Sequence, residues 1–467
     1  MFLKKFIGDK AFYKRLFVIA LPIIIQNFIT NFVSLLDNIM VGNIGDIEMN
    51  GVSIVNQILF VFNLCVFGAV SGAGIFTAQY HGSGDKEGIR HTVRFKLLIG
   101  VLITVVGIAV FEFGGDFLIK QYLKGEGSPE DALASLAFGI DYLKVMMIGL
   151  LPFALANAYS STLRETGNSV LPMTAGIVAV FVNLILNYVL IFGHFGAPKL
   201  GVVGAAVATV ISRYVEFLIV LLWSHFSKTE REMFKGLYTT FNIPKRLFGN
   251  IVLKGMPLLV NEALWSLGMA VITQCYSERG LVVVSALNIS TTINNLISVV
   301  FLSIGSTVGI IIGQMLGKGE PREKVREWVT KLIATSVLSC IIFGSILAAL
   351  SGVFPMIYKT TDSVRSLATA LIIICAVLMP FHAYAHASYF TIRSGGKTLI
   401  TFMLDGMYVW VFSVPLAFVL SRFTDIPIIP LYIICQMAEV IKCFICGYMI
   451  HRGSWMNSIV NNERAES

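Results

Sequence analysis

Residues 78–91 read AQYHGSGDKEGIRH, and residues 313–327 read GQMLGKGEPREKVRE. At an offset of 235 residues, Gln79, Gly82 and Gly84 superpose on Gln314, Gly317 and Gly319. Each stretch closes a long apolar run and leads into a charged one. The same offset aligns ALP at 20–22 with GMP at 255–257, each opening the first apolar run of a half. A further match closes the fourth run of each half, STLRETGN at 161–168 against FTIRSGGK at 390–397. The chain therefore reads as two homologous lobes, 1–226 and 248–467, joined by a polar linker at 227–247.

What separates the matches is membrane-like sequence. Of 467 residues, 56% are hydrophobic and 13% charged, about half the charged fraction of a soluble globular chain. Runs such as 97–113, 171–192, 202–223 and 332–350 approach or reach the roughly 20 residues that cross the hydrocarbon core as helix. Counted along the chain they give twelve spans, near 15–40, 50–80, 95–115, 132–163, 169–192, 201–225, 248–276, 281–313, 327–350, 366–392, 398–421 and 427–450. The fold class predicted is an all-α membrane protein of two six-helix bundles. An even number of spans per half returns the chain to the side it started from, so the repeat is parallel, an arrangement common in transporters that rock around a path between their halves.

Lys and Arg give the orientation, because basic loops stay cytoplasmic. With both termini inside, inner segments hold 24 basic residues and outer loops seven. Lipid headgroups and topology account for the net charge of +8, and no nucleic-acid partner is expected. The lead-in MFLKKFIGDKAFYKRL precedes an apolar run too long for a signal-peptide core and without an A-x-A site. A retained first span in the plasma (inner) membrane is the expectation. All seven cysteines fall in spans, which suggests neither a disulfide framework nor a loop metal site. No HExxH, GxSxG or Walker pattern is present, and the linker is too short for a catalytic domain, so an enzyme is disfavoured.

Ionisable groups inside spans carry the functional reading, since each costs roughly 2.5–3.5 kcal/mol to insert. Asp141 and Lys144, Arg213 and Glu216, and Glu439 and Lys442 lie three apart on single spans, where local pairing could neutralise them. Asp37 in span 1 and Glu262 in span 7 have no basic residue within a helical turn. Removal from water penalises a carboxylate's charged form, so such a group is suited to holding a proton or a cation, the two competing for one place. Asn183 and Asn187, four apart on span 5, project from one face. His382 and His386 share a face of span 10, and Asp405 on span 11 is solitary in its own helix. Gly72, Gly74, Gly305, Gly309 and Gly313 suit close helix approach, and Pro22, Pro152, Pro257 and Pro380 could bend spans.

The segments LLDNIMVGNIGD, Q-x-x-G-x-G-D, TLRETGN, NLILNYVLIFGHFGAPKLGVVGAAVAT and GMPLLVNEALWSLG occur in order over nearly the whole chain. Together they resemble the multidrug and toxic compound extrusion family, MATE, in a bacterial branch. The resemblance implies a secondary antiporter exporting organic cations or amphiphiles in exchange for protons or sodium ions, with no other cofactor and as a monomer. It matches Asp37 to the family's span 1 aspartate, Glu262 to its span 7 glutamate, and Asn183 and Asn187 to the pair lining the N-lobe cation site. Some relatives have an acid where Asn187 stands. His382 falls where sodium-coupled relatives place a second acid. That departure favours protons as the coupling ion, and a monovalent cation at Asp37 is the alternative. Asp405, Asp141 and His386 are secondary candidates. A lipid-linked oligosaccharide flippase of related architecture is the competing function, but the solitary mid-span charges here are acidic, whereas a pyrophosphate headgroup calls for cations.

Overall fold

The computed structural model describes residues 5–123 and 129–461. Its long helices are α1 (Lys10–Gly42), α2 (Asp46–Ser83), α3 (Lys86–Tyr122), α4 (Pro129–Ile148), α5 (Leu150–Glu165), α6 (Val170–Phe192) and α7 (Val202–Phe226). After a short α8 (Arg231–Phe234) come α9 (Lys245–Ser277), α10 (Leu281–Lys318), α11 (Arg322–Leu350) and α12 (Asp362–Ser394). The eleventh span is composite: α13 (Thr398–Phe402), two π-helical turns at Met403–Met407 and Val409–Ser413, and α14 (Val414–Phe423). The last helix is α15 (Ile428–Arg452).

Among the described residues eleven continuous spans are long and apolar enough to cross a membrane, and α4 with α5 makes a twelfth, bent by 47°. The break falls at Gly149. Pro152 follows at the start of α5. It has no N–H to give the carbonyl four residues back, so the ladder fails where the chain bends. The protein is an all-helical, multi-pass membrane protein.

Two compact units are present. One comprises residues 25–77 and 86–251, the other 1–24, 78–85 and 252–467. The division departs from the repeat boundary in three places: the start of α1 and the turn after α2 belong with the C-terminal helices, and the linker belongs with the N-terminal ones. In the first unit Val55, Phe62, Val66, Ile119, Leu143, Leu150, Ile191 and Ala206 are among the buried side chains of the core. The linker is docked, not loose. Phe234 and Leu237 are buried, and the buried Arg94 of α3 donates from Nε to the Leu237 carbonyl at 3.0 Å and from Nη2 to that of Gly236 at 3.0 Å. Tyr159 and Tyr238 share a short hydroxyl contact.

In the second unit a core cluster joins Phe12, Leu16 and Ile23 of α1 to Val308, Ile311 and Ile312 of α10 and to Leu332 of α11. Here the repeated motifs meet. A methyl group built on Gly82 would lie 1.9 Å from the Gln314 carbonyl oxygen, and one on Gly317 would lie 1.9 Å from that of Gln79. Only glycine permits such backbone approach. Gly84 and Gly319 both adopt φ +74°, closing equivalent helices in the left-handed conformation. The segment after α15 packs on the same place. Gln79 Nε2 donates to the carbonyls of Ser394 at 2.9 Å and Asn457 at 3.3 Å, and its Oε1 accepts from the N–H groups of Ile459 at 2.8 Å and Val460 at 3.4 Å.

Candidate functional site

In the first unit the C-terminal part of α1 presents Asp37 to α6. Asn187 Nδ2 donates to Asp37 Oδ1 at 2.7 Å. One turn earlier Asn183 lies beside it, since residues four apart stack on one helix face. Asn183 and Asn187 are both buried, at 6% and 1% exposure. The Asn183 amide nitrogen faces Asp37, donating to Oδ1 at 2.9 Å and Oδ2 at 3.1 Å, while its oxygen accepts from Thr209 Oγ1 at 3.2 Å.

Tyr142 of α4 is buried within electrostatic reach of Asp37 and hydrogen-bonds from its hydroxyl to Asn56 Oδ1 at 3.4 Å. Among the described residues no lysine or arginine pairs with Asp37. Asn187 Oδ1 is buried without a hydrogen-bond partner, an acceptor left open beside the acid. The cluster thus offers one carboxylate, two amides that donate to it and an acceptor oxygen left open.

The second unit contains a different polar set. Asp405 lies on the first π-helical turn, a geometry that occurs mostly as local insertions and often at functional sites. It accepts from Lys442 Nζ at 2.7 Å and from Asn261 Nδ2 at 3.0 Å. Lys442 also reaches Glu439 Oε2 at 3.3 Å. Asp405 is therefore not solitary: its partner comes from another helix. Glu262, beside Asn261 on α9, lies within electrostatic reach of Arg393 and Asp405. His386 and His382 on α12 pack against Phe301, at ring distances of 5.1 and 6.3 Å, and both are within electrostatic reach of Lys442 and Glu439.

Of the three local pairs expected from sequence, Asp141–Lys144 and Arg213–Glu216 make no direct ion pair, although Arg213 and Glu216 stay within electrostatic reach of each other. Asp141 and Lys144 are both exposed, with no ion pair between them, and exposed side chains of this kind are not held to one geometry. Arg213 instead lays its guanidinium over the Phe153 ring at 4.9 Å and donates to the Gly149 carbonyl at 3.4 Å. Glu216 is left within electrostatic reach of Arg164 and Arg213. Only Glu439 and Lys442 pair as the spacing predicts. Asp141, exposed on α4, does not join the Asp37 cluster. Among the described residues no group of three or more His, Cys, Asp or Glu side chains is arranged to hold a metal ion, and all seven cysteines are free thiols.

The family model described as MatE matches residues 22–189 and again residues 257–420, two copies whose starts lie 235 residues apart. The chain belongs to the MatE family. As a member it is a membrane transporter and not an enzyme. A probable multidrug resistance protein NorM of Thermotoga maritima is 24% identical over 429 residues, covering 90% of this chain and 88% of that protein. Multidrug resistance protein MdtK of Pectobacterium atrosepticum is 26% identical over 445 residues, covering 94% and 92%. Among solved structures, an outward-facing conformation of a multidrug resistance MATE family transporter superposes with TM-score 0.83 at 18% identity, over 97% of this chain and 98% of that one. At that identity the likeness shows the fold.

Within this MatE chain the structure brings Asp37, Asn183 and Asn187 together, and Glu262, Asp405, His382 and His386 lie around one group of charges. Thr209, Tyr142 and Asn261 join these sets without having been singled out from sequence. A hydroxyl or amide on an apolar helix gives no signal until the facing helix is known. The buried Lys96 and Glu165 were likewise passed over. Lys96 Nζ reaches Glu165 Oε2 at 2.5 Å, Ser161 Oγ at 3.1 Å and Thr162 Oγ1 at 3.1 Å.

Proposed function

We propose that this protein is a multidrug efflux antiporter that exports organic cations and other amphiphiles in exchange for protons, with Asp37 as the group for which proton and substrate compete. The observation that carries the reading is Asp37 held at 2.7 Å by Asn187 with no basic partner, beside the unpartnered Asn187 oxygen. A carboxylate compensated by a lysine would have no use for a transported cation, whereas this one has.

When Asp37 is charged it can only accept, and the amide nitrogens of Asn183 and Asn187 donate to it. When Asp37 is protonated its O–H becomes a donor, and the open Asn187 oxygen is an acceptor beside it. Each state is hydrogen-bonded, so neither is a trap, and alternating access then carries substrate out and protons in. Glu262 would contribute to substrate binding in the C-terminal half. Protons are preferred to sodium because the span 10 position is His382, and imidazole nitrogen is a poor ligand for a hard monovalent cation. Twelve spans with both termini cytoplasmic, in the inner membrane and as a monomer, complete the reading, with no cofactor beyond the coupling ion. The names of the NorM and MdtK relatives support the drug-efflux part.

The test is transport in proteoliposomes. Efflux of a fluorescent lipophilic cation should follow an imposed pH gradient at zero sodium. Efflux that follows a sodium gradient at clamped pH and ignores protons would overturn the coupling assignment.

A further inference from the structure

In the C-terminal unit a lysine ammonium sits between two carboxylates from different helices. Lys442 of α15 has a side chain only 8% exposed, and its ammonium lies 2.7 Å from Asp405 Oδ1 and 3.3 Å from Glu439 Oε2. The other Asp405 oxygen is taken by Asn261 Nδ2 at 3.0 Å. Asn261 cannot turn its oxygen to that acid in exchange, because the Gly406 N–H donates to Asn261 Oδ1 at 2.8 Å. His386 Nδ1, nearby, is buried with no hydrogen-bond partner. Two carboxylates from different helices thus converge on one position, and a covalently attached cation fills it.

We propose that Lys442 is a built-in counter-cation that occupies the acid pocket formed by Asp405 and Glu439 and thereby closes it to sodium and other monovalent metal ions. A tethered ammonium is present at an effective concentration set by its own side chain, in the millimolar range or above for short tethers, so a free ion must displace it to bind. A metal ion entering beside it would meet a like charge a few ångströms away in a poorly solvated place, where repulsion is only weakly screened. The two carboxylates that could attract a free cation are therefore already engaged by the lysine. The assignment deepens the proton-coupling reading and rests on it for its role in transport. Its test is a binding measurement on the resting protein, so the two can fail separately.

The experiment is thermal unfolding of the purified full-length chain in detergent, with sodium chloride against choline chloride at equal ionic strength. All variants are made both in the native sequence and with Asp37→Asn, so that any sodium bound at Asp37 is read apart. The protein with Lys442 should unfold identically in the two salts. Lys442→Gln should become sodium-sensitive, its unfolding equilibrium constant falling about tenfold as sodium rises from well below to well above its dissociation constant. Adding Asp405→Asn to Lys442→Gln should remove that response, and Lys442→Arg, which keeps the cation, should stay indifferent to sodium. A Lys442→Gln chain that folds only in sodium supports the proposal in stronger form. A Lys442→Gln chain that sodium neither stabilises nor rescues overturns it. So does a sodium response in the Asp37→Asn protein that retains Lys442 and loses the response on Asp405→Asn.

Discussion

Lys96→Met should be among the most damaging single substitutions in the N-terminal unit, and the structure says by how much. The Lys96 side chain is fully buried and that of Glu165 is 12% exposed. The ammonium makes three contacts, to Glu165 Oε2 at 2.5 Å and to the hydroxyls of Ser161 and Thr162 at 3.1 Å each. Glu165 has no room to leave, since a methyl group on Gly74 would lie 2.3 Å from its Oε1. Removing one partner of such a pair leaves an uncompensated buried charge and costs about 3–5 kcal/mol, whereas removing both in favour of uncharged residues of similar volume is often close to neutral. Lys96→Met should therefore cost about 3–5 kcal/mol, and Lys96→Met with Glu165→Gln much less, giving a coupling energy of about 2–3 kcal/mol at the upper end of the range for neighbours. Glu165→Gln alone should be milder than Lys96→Met, because the lysine keeps two hydroxyl acceptors and an amide oxygen. The assay is a double-mutant cycle read by reversible unfolding in mixed micelles. A double variant as unstable as the sum of the two singles would refute the reasoning, since it would mean that the charges do not see one another.

Asp37→Asn should abolish drug resistance in susceptible cells while the protein is still made at near wild-type level, because an isolated buried charge is a cost as well as a function; wild-type resistance from this variant would remove Asp37 from the mechanism. Glu262→Gln should reduce transport less than Asp37→Asn does, measured as dye efflux from proteoliposomes. A Glu262→Gln protein with wild-type turnover and affinity would make that acid structural. Gln79→Ala should free the segment after α15, because one side chain supplies both the donor to Ser394 and Asn457 and the acceptor for Ile459 and Val460. Limited proteolysis should then cut beyond Trp455 faster than in the wild type, at a stability cost of about 1–3 kcal/mol for the partners left unpaired.

The sequence made the helices legible because spans of this length and hydropathy have few alternatives in a bilayer. The bend at Gly149 was not placed from sequence, although Pro152 was noted as a possible source of one. Asp37, Asn183 and Asn187 were legible for two separate reasons: the amides share a face by their spacing of four, and the acid had nothing on its own helix to pair with. The pairing of Asp405 was not legible. Lys442 could be assigned only to Glu439, three residues away, yet its shorter contact is to an acid 37 residues earlier on another helix. Spacing rules report neighbours along one helix and are blind to those across two. The same blindness gave Arg213 to Glu216, when the Phe153 ring and the Gly149 carbonyl were the nearer partners.

The two copies of the repeat show which positions are tied to the backbone and which are not. Gly84 and Gly319 share a φ of +74°, Gly167 and Gly396 have φ of +95° and +75°, and Gly82 and Gly317 each lie where a side chain would strike a carbonyl. At these positions a substitution must move main chain, so each copy needs glycine for the same mechanical reason. The charged positions obey a looser rule. Around Asp37 one copy has two amides and, among the described residues, no lysine; the other sets Asp405, Glu439 and Glu262 with Lys442 and Arg393 close by. What each set must satisfy is that buried charges find donors, acceptors or counter-charges nearby, and many residue combinations do so on one backbone. A duplicated bundle can therefore keep the same glycines at its close approaches in both halves while its two sets of buried charges diverge.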